Sequence, residues 1–166
     1  MGLVSGAALR HAPGMEAILA ALDFSAVASS VLERATEMAE RFGARLWLVH
    51  VAAPEPEFVG YDPGPQAARD HRAVDLREEH RRVQRWAEAL RARGIDATAL
   101  LIQGHPVEKI LEEGDRLHVE MIVLGSHGRG ALARLVLGSV SEGVVRRAMC
   151  PVLIVPSFSD RKRGVA

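Results

Sequence analysis

Apolar positions along this chain alternate between two spacings, one for strands and one for helices. Met15–Leu22 is apolar apart from Glu16 and stops at Asp23, the length and character of a strand buried on both faces. From Ser25 the period changes. Ala28, Val31, Leu32, Ala35, Met38, Ala39 and Phe42 recur at three and four, predicting a core-facing helix with Ser25 as N-cap and Gly43 as its stop. Ala44–Val51 predicts a second strand, ended by a Pro-rich stretch through Pro65. Ala67–Arg93 is densely charged, yet Ala73, Leu76, His80, Val83, Ala87 and Leu90 fall on one face. That pattern predicts an amphipathic helix with a solvated outer face, Glu78–Arg82 as a supporting pair, and Gly94 at its end. Ile95–Gln103 predicts a third strand, Gly104 a turn, and Pro106 the start of a helix to about His118. Glu120–Leu124 follows as a fourth strand and leads into a glycine-rich loop. Gly138 and Ser139 open a last helix ending near Ala148, and Val152–Val155 forms the last strand.

Strand and helix in strict alternation predict an α/β domain: a doubly wound, Rossmann-like parallel sheet with helices on both faces. Ligands of such sheets bind beyond the carboxyl ends of the strands, at the topological switch point. Asp23 ends the first strand and Gly125 the fourth, so the least ordinary residues collect there. The expected organisation is an extension over 1–14, one domain over 15–156 and a polar tail over 157–166.

Composition narrows the classes of function. Basic and acidic residues number 21 each, so no whole-domain positive field favours nucleic acid. No apolar run approaches the roughly 20 residues that a membrane-spanning helix requires. Residues 1–14 lack the basic start and apolar block of a secretion signal, and Gly6 stands where a myristoylation motif needs Ser or Thr. The lone Cys150 excludes an internal disulfide and is expected to be a buried structural thiol. A cytoplasmic protein is the expectation.

The candidate chemistry lies in the stretch from Gly125 to Ser139, where Gly125, Gly128 and Gly138-Ser139 are separated by two and then nine residues. Glycine at a strand end lets a ligand approach the backbone, and a Gly-Ser pair at a helix start offers unpaired N–H groups and the positive end of the helix dipole. That combination suits phosphate. It is neither a Walker A loop nor a Rossmann fingerprint, because Gly-Lys-Ser/Thr and G-x-G-x-x-G are both absent.

With ILAALDFS, LWLVHV, the Gly104–Pro106 turn, MIVLGSHGRG and LGSVSEGVVRRAMCPVLIVP in this order, the chain resembles the ATP-binding branch of the universal stress protein family over about Met15 to Pro156. The resemblance implies five parallel strands in the order 3-2-1-4-5 with four helices. It implies ATP as ligand, with ADP or AMP as alternatives and Mg²⁺ as an accessory. It further assigns Asp23 to the ribose hydroxyls and to help with Mg²⁺, the backbone of Val51 to adenine, and Gly125 to a place against the ribose. Gly128, Gly138, Ser139 and the amide of Val140 would hold the phosphates. Val152–Val155 would pair with its twin in a homodimer, as an apolar edge strand invites. Two departures stand out: Phe24-Ser25 where many members carry Gly-Ser, and Glu120 where Asp is usual.

Each residue also has a plainer role. Asp23 alone reads as a helix-initiating carboxylate, and the glycines as turn formers; their joint spacing favours the ligand. Ser139 suits both an N-cap and a phosphate contact, whereas Ser25 suits only a cap. His127 reads as a solvent-facing loop residue, Arg129 and Arg134 as either phosphate partners or solvated charges, and His50 as a packed core residue. The remaining histidines lack metal-ligand spacing. Neither a nucleophile–base pair nor a second carboxylate with a metal role accompanies Asp23, so the expectation is a regulatory stress-response nucleotide binder. The alternatives are a slow ATPase or nucleotidyl-transfer enzyme of the same architecture, and a dimeric interaction module with an empty pocket.

Overall fold

The computed structural model describes residues 14–52, 54, 66–126 and 137–156. Nine elements alternate as predicted: β1 (Ala17–Ala21), α1 (Ala28–Phe42), β2 (Arg45–Ala52), α2 (Gln66–Ala92), β3 (Ala97–Gln103), α3 (Pro106–Arg116), β4 (Met121–Gly125), α4 (Ser139–Arg147) and β5 (Val152–Val155). All ladders are parallel and the strand order is 3-2-1-4-5. Chain direction across the sheet therefore reverses between β1 and β4, which makes that junction the switch point.

Side chains of successive strand residues point to opposite faces, and the core divides accordingly. Ile18, Ala20, Leu46, Leu48 and Val123 pack with α1 and with Val83, Ala87 and Leu90 of α2. Leu19, Val49, Ile122 and Leu124 pack on the other face with Ile110 of α3 and Val144 of α4. At full burial each such aliphatic side chain contributes about 1.5–3 kcal/mol. Loss of one central residue is therefore a large fraction of a marginal total.

Several local expectations need correcting. Ser25 does not cap α1. The helix starts at Ala28 with Val27 at its N-cap position and no side-chain cap, and the buried Ser25 hydroxyl has no partner among the described residues. The cause lies one residue earlier: the Asp23 carboxylate accepts the Ser25 N–H at 3.1 Å, and Phe24 is left-handed at φ 58°. Gly43 does stop α1, in the left-handed conformation glycine adopts without penalty. Phe42 is exposed instead of joining the core stripe, and so is His80. Val83, Ala87 and Leu90 of the expected α2 stripe do face the core, with Glu79 and Trp86 partly buried beside them, and Arg82 lies over the Phe24 ring instead of pairing with Glu78. Glu120 accepts a hydrogen bond from the Glu16 amide.

Candidate functional site

A cleft of about 430 Å³ opens at the carboxyl ends of β1, β2 and β4. That volume falls within the usual range for small-molecule sites. It is lined by Asp23, Val51, Gly125, Gly138, Ser139 and Val140, and its apolar wall comes from Val49, Leu124 and, across from them, Pro106 and Ile110 of α3. Six of the seven residues singled out in the sequence thus share one cavity. Gly128, like His127, Arg129 and Arg134, lies outside the described residues.

Strand alternation explains how Val51 can act through its backbone. The N–H and C=O of one strand residue point to the same neighbour, and those of the next residue to the other. Val49 faces β1, since its carbonyl accepts the Leu22 N–H at 2.9 Å; Ala52 faces β3, since its carbonyl accepts the Gly104 N–H at 3.1 Å. Val51 therefore faces the β1 side, where the ladder has already ended at the Ala21–Val49 rung. Among the described residues its donor and its acceptor have no partner on that side, where they point over the rim beside an apolar wall.

Asp23 stands at the centre of the rim. Its side chain is exposed, and it is the only charged residue lining the cleft among the described residues. No cluster of three metal-ligating side chains occurs among the described residues. A Mg²⁺ ion would thus fit here only as Mg²⁺ usually binds nucleotides, with one carboxylate and the substrate phosphates as ligands.

The far end of the cleft is the start of α4. Gly138 occupies the N-cap position at φ −66° and ψ 159°, a conformation open to any residue, so backbone freedom does not explain glycine there. The first turn bond is donated by Glu142 N–H to the Gly138 carbonyl at 2.9 Å. The amides of Ser139, Val140 and Ser141 precede that bond and have no helix acceptor. The Gly138 amide is different: it donates to the Ser126 carbonyl at 2.6 Å, closing the loop that leaves β4. That N–H is therefore already partnered, unlike the three amides that follow it.

Gly125 has a structural duty of its own. A Cβ built there would lie 2.6 Å from Val27 Cγ1, so the start of α1 packs directly on this backbone. Its carbonyl accepts the Ser141 hydroxyl at 2.5 Å. Ser141, buried at 3% exposure, ties α4 to β4 and is the residue sequence reading missed. Its signal was its place in the first turn of a helix whose start faces a strand end. His50 is buried as expected, with Nδ1 2.6 Å from the Leu22 carbonyl.

A second cleft, of about 420 Å³, lies at the opposite end of the sheet beside Asp115, His118, Met149 and Cys150. Cys150 is half-buried rather than a core thiol. Burial first, and then the nearby Asp115 carboxylate, push this thiol above its ordinary range, which works against thiolate chemistry.

Known proteins share this design. The model of the universal stress protein family matches residues 15–156. A universal stress protein of Thermus aquaticus, encoded in the 3′ region of a QAH/OAS sulfhydrylase, is 38% identical over 139 residues, covering 83% of this chain and 96% of that one. Among solved structures, the protein MJ0577 aligns with a TM-score of 0.73 at 26% identity, over 88% of this chain and 99% of its own. A universal stress protein of Archaeoglobus fulgidus in complex with dAMP aligns with a TM-score of 0.60 at 22% identity, over 84% and 96%. No described helix is long and apolar enough to cross a membrane.

Proposed function

Because the chain belongs to the universal stress protein family, we propose that it binds an adenine nucleotide, ATP in the first place, and acts as a cytoplasmic stress-response regulator whose homodimer answers to nucleotide occupancy. One observation carries this reading: three chemistries follow one another in sheet order along a single cleft. Among the described residues, an apolar wall with a backbone donor and acceptor left open lies at β2, a carboxylate at β1, and a row of amides without helix acceptors at the start of α4 beyond β4. A base, a ribose and a phosphate chain present complementary groups in that same order. Adjacent strands are about 4.8 Å apart, so the cradle lies roughly 10 Å from the adenine edge. The dAMP complex of the A. fulgidus relative is in keeping with this choice of ligand.

In this proposal the backbone of Val51 holds adenine, Asp23 holds the ribose hydroxyls with Gly125 against the ribose, and Gly128, Gly138, Ser139 and the Val140 amide hold the phosphates. Mg²⁺ joins through the phosphates and Asp23. These groups bind phosphate equally in ground and transition states, so the protein is a binder rather than a phosphoryl-transfer enzyme. The dimer forms through β5, which lies at the edge of the described sheet with β4 as its neighbour there.

Denaturing the purified protein and separating the released nucleotide by chromatography tests the reading, with calorimetric titration of the stripped protein by Mg-ATP alongside. Intact bound ATP and a micromolar Kd, about −8 kcal/mol, are expected. ADP that accumulates in proportion to protein would convert the binder into an ATPase. No released nucleotide and no heat on titration would leave only the interaction module.

A further inference from the structure

Asp23 is exposed, yet the residues on either side of it are gripped by one buried side chain. His50, 6% exposed, is placed to donate from Nδ1 to the Leu22 carbonyl at 2.6 Å. Its ring also meets the Phe24 ring, with centroids 4.2 Å apart. The peptide before Asp23 and the side chain after it thus rest on the same imidazole. Phe24 needs such support, because φ 58° is costly for a bulky residue and persists only where its surroundings hold it. The surroundings come from α2: the Arg82 guanidinium lies 3.9 Å from the Phe24 ring centroid, the Trp86 ring packs tilted against it with centroids 5.4 Å apart, and a Glu79 carboxylate oxygen lies 3.7 Å from His50 Nε2. Positions 79, 82 and 86 lie on one helix face.

Resting on the nucleotide reading above, we propose that Phe24 and His50 are positioning residues for Asp23, clamped from α2 so that its carboxylate meets the ribose hydroxyls. Left-handed Phe24 is what lets the Ser25 N–H turn back to Asp23 Oδ1 at 3.1 Å, leaving the second carboxylate oxygen for the sugar. A looser turn would keep the charge in the cleft and lose its direction. The nucleotide contacts of Val51 and of α4 do not pass through this clamp. Its loss should therefore be felt at the ribose and not at the base or phosphates.

Calorimetric titrations with ATP and with 2′,3′-dideoxy-ATP separate the two cases, using wild type, Phe24→Ala, His50→Ala, Phe24→Tyr, His50→Asn and Arg82→Ala, each with a melting curve. Phe24→Ala and His50→Ala should bind ATP about 10-fold more weakly, the size of one hydrogen bond to a charged group, and dideoxy-ATP nearly as well as wild type does. Phe24→Tyr keeps the ring and His50→Asn keeps the donor near the Nδ1 position, so both should recover ATP binding. Should either alanine variant fail to fold, Arg82→Ala on the solvent side of the ring still gives a smaller loss of the same selectivity. Equal losses for the two nucleotides, or unchanged ATP affinity in folded variants, overturn the clamp alone. A wild-type protein that binds neither nucleotide overturns the nucleotide reading and the clamp together.

Discussion

The two ends of the cleft are built by opposite means. At β1 the proposed working group is a side chain, Asp23, beside which His50, Phe24 and the Glu79, Arg82 and Trp86 face of α2 pack together. At α4 the proposed working groups are main-chain amides, beside the clasp from Gly138 N–H to Ser126 and the bond from Ser141 to Gly125. On that reading the first end depends on side chains that a substitution removes, and the second on main chain that an added side chain would cover. Substitutions therefore damage them differently, removal being harmful at β1 and addition at α4.

The largest effect is expected from Gly138→Val, which puts branched methyls over the amide row. Two or three phosphate hydrogen bonds at about 1.5–3 kcal/mol each are lost, so ATP binding should disappear from calorimetry while circular dichroism and melting temperature stay near wild type. Unchanged affinity would falsify the phosphate assignment. Next comes Asp23→Ala, a removal at the other end. It should weaken ATP by roughly 1.5–3 kcal/mol and dideoxy-ATP little, whereas comparable losses for both would deny the carboxylate its ribose partner.

Gly125→Ala tests the addition rule on stability instead of binding. Its new methyl meets Val27 Cγ1 at 2.6 Å, so α1 must shift, and overpacking of this kind costs typically about 1–3 kcal/mol. Chemical denaturation should show the drop; a melt as stable as wild type would mean that Val27 rotates away freely. Smallest is the effect at Cys150, remote from both ends. Since its thiol is held above the ordinary range in the folded state, folding disfavours the thiolate. Stability that is full at neutral pH should decline slightly as pH rises through the folded thiol's range, and Cys150→Ser should abolish that decline. Alkylation of the native protein near pH 8 should accordingly be slower than that of the unfolded chain.

Most of the fold was legible because its signals are local. The apolar runs of β1, β2, β4 and β5, the three-and-four stripe of α1, and Pro106 at the start of α3 each announce an element without help from the rest of the chain. The cleft was legible for a related reason: strict alternation of strand and helix places Asp23, Gly125 and Gly138 along one rim of the sheet. What the sequence concealed depends on contacts between distant segments. Ser25 has the chemistry of a cap, yet the turn at Phe24 commits its N–H to Asp23 and moves the helix start to Ala28. On α2 the expected stripe holds at Val83, Ala87 and Leu90, yet His80 is exposed while Glu79 turns to within 3.7 Å of His50 on β2, a distant partner that local spacing does not show. The amide of Gly138 looked available until Ser126 claimed it. Ser141 carries no sequence mark that separates it from any serine in a first helical turn.

The clasp between residues 126 and 138 also bears on what the chain tolerates. Because it joins two main-chain atoms, the N-cap of α4 is tied to the residue after β4 whatever side chain Ser126 carries.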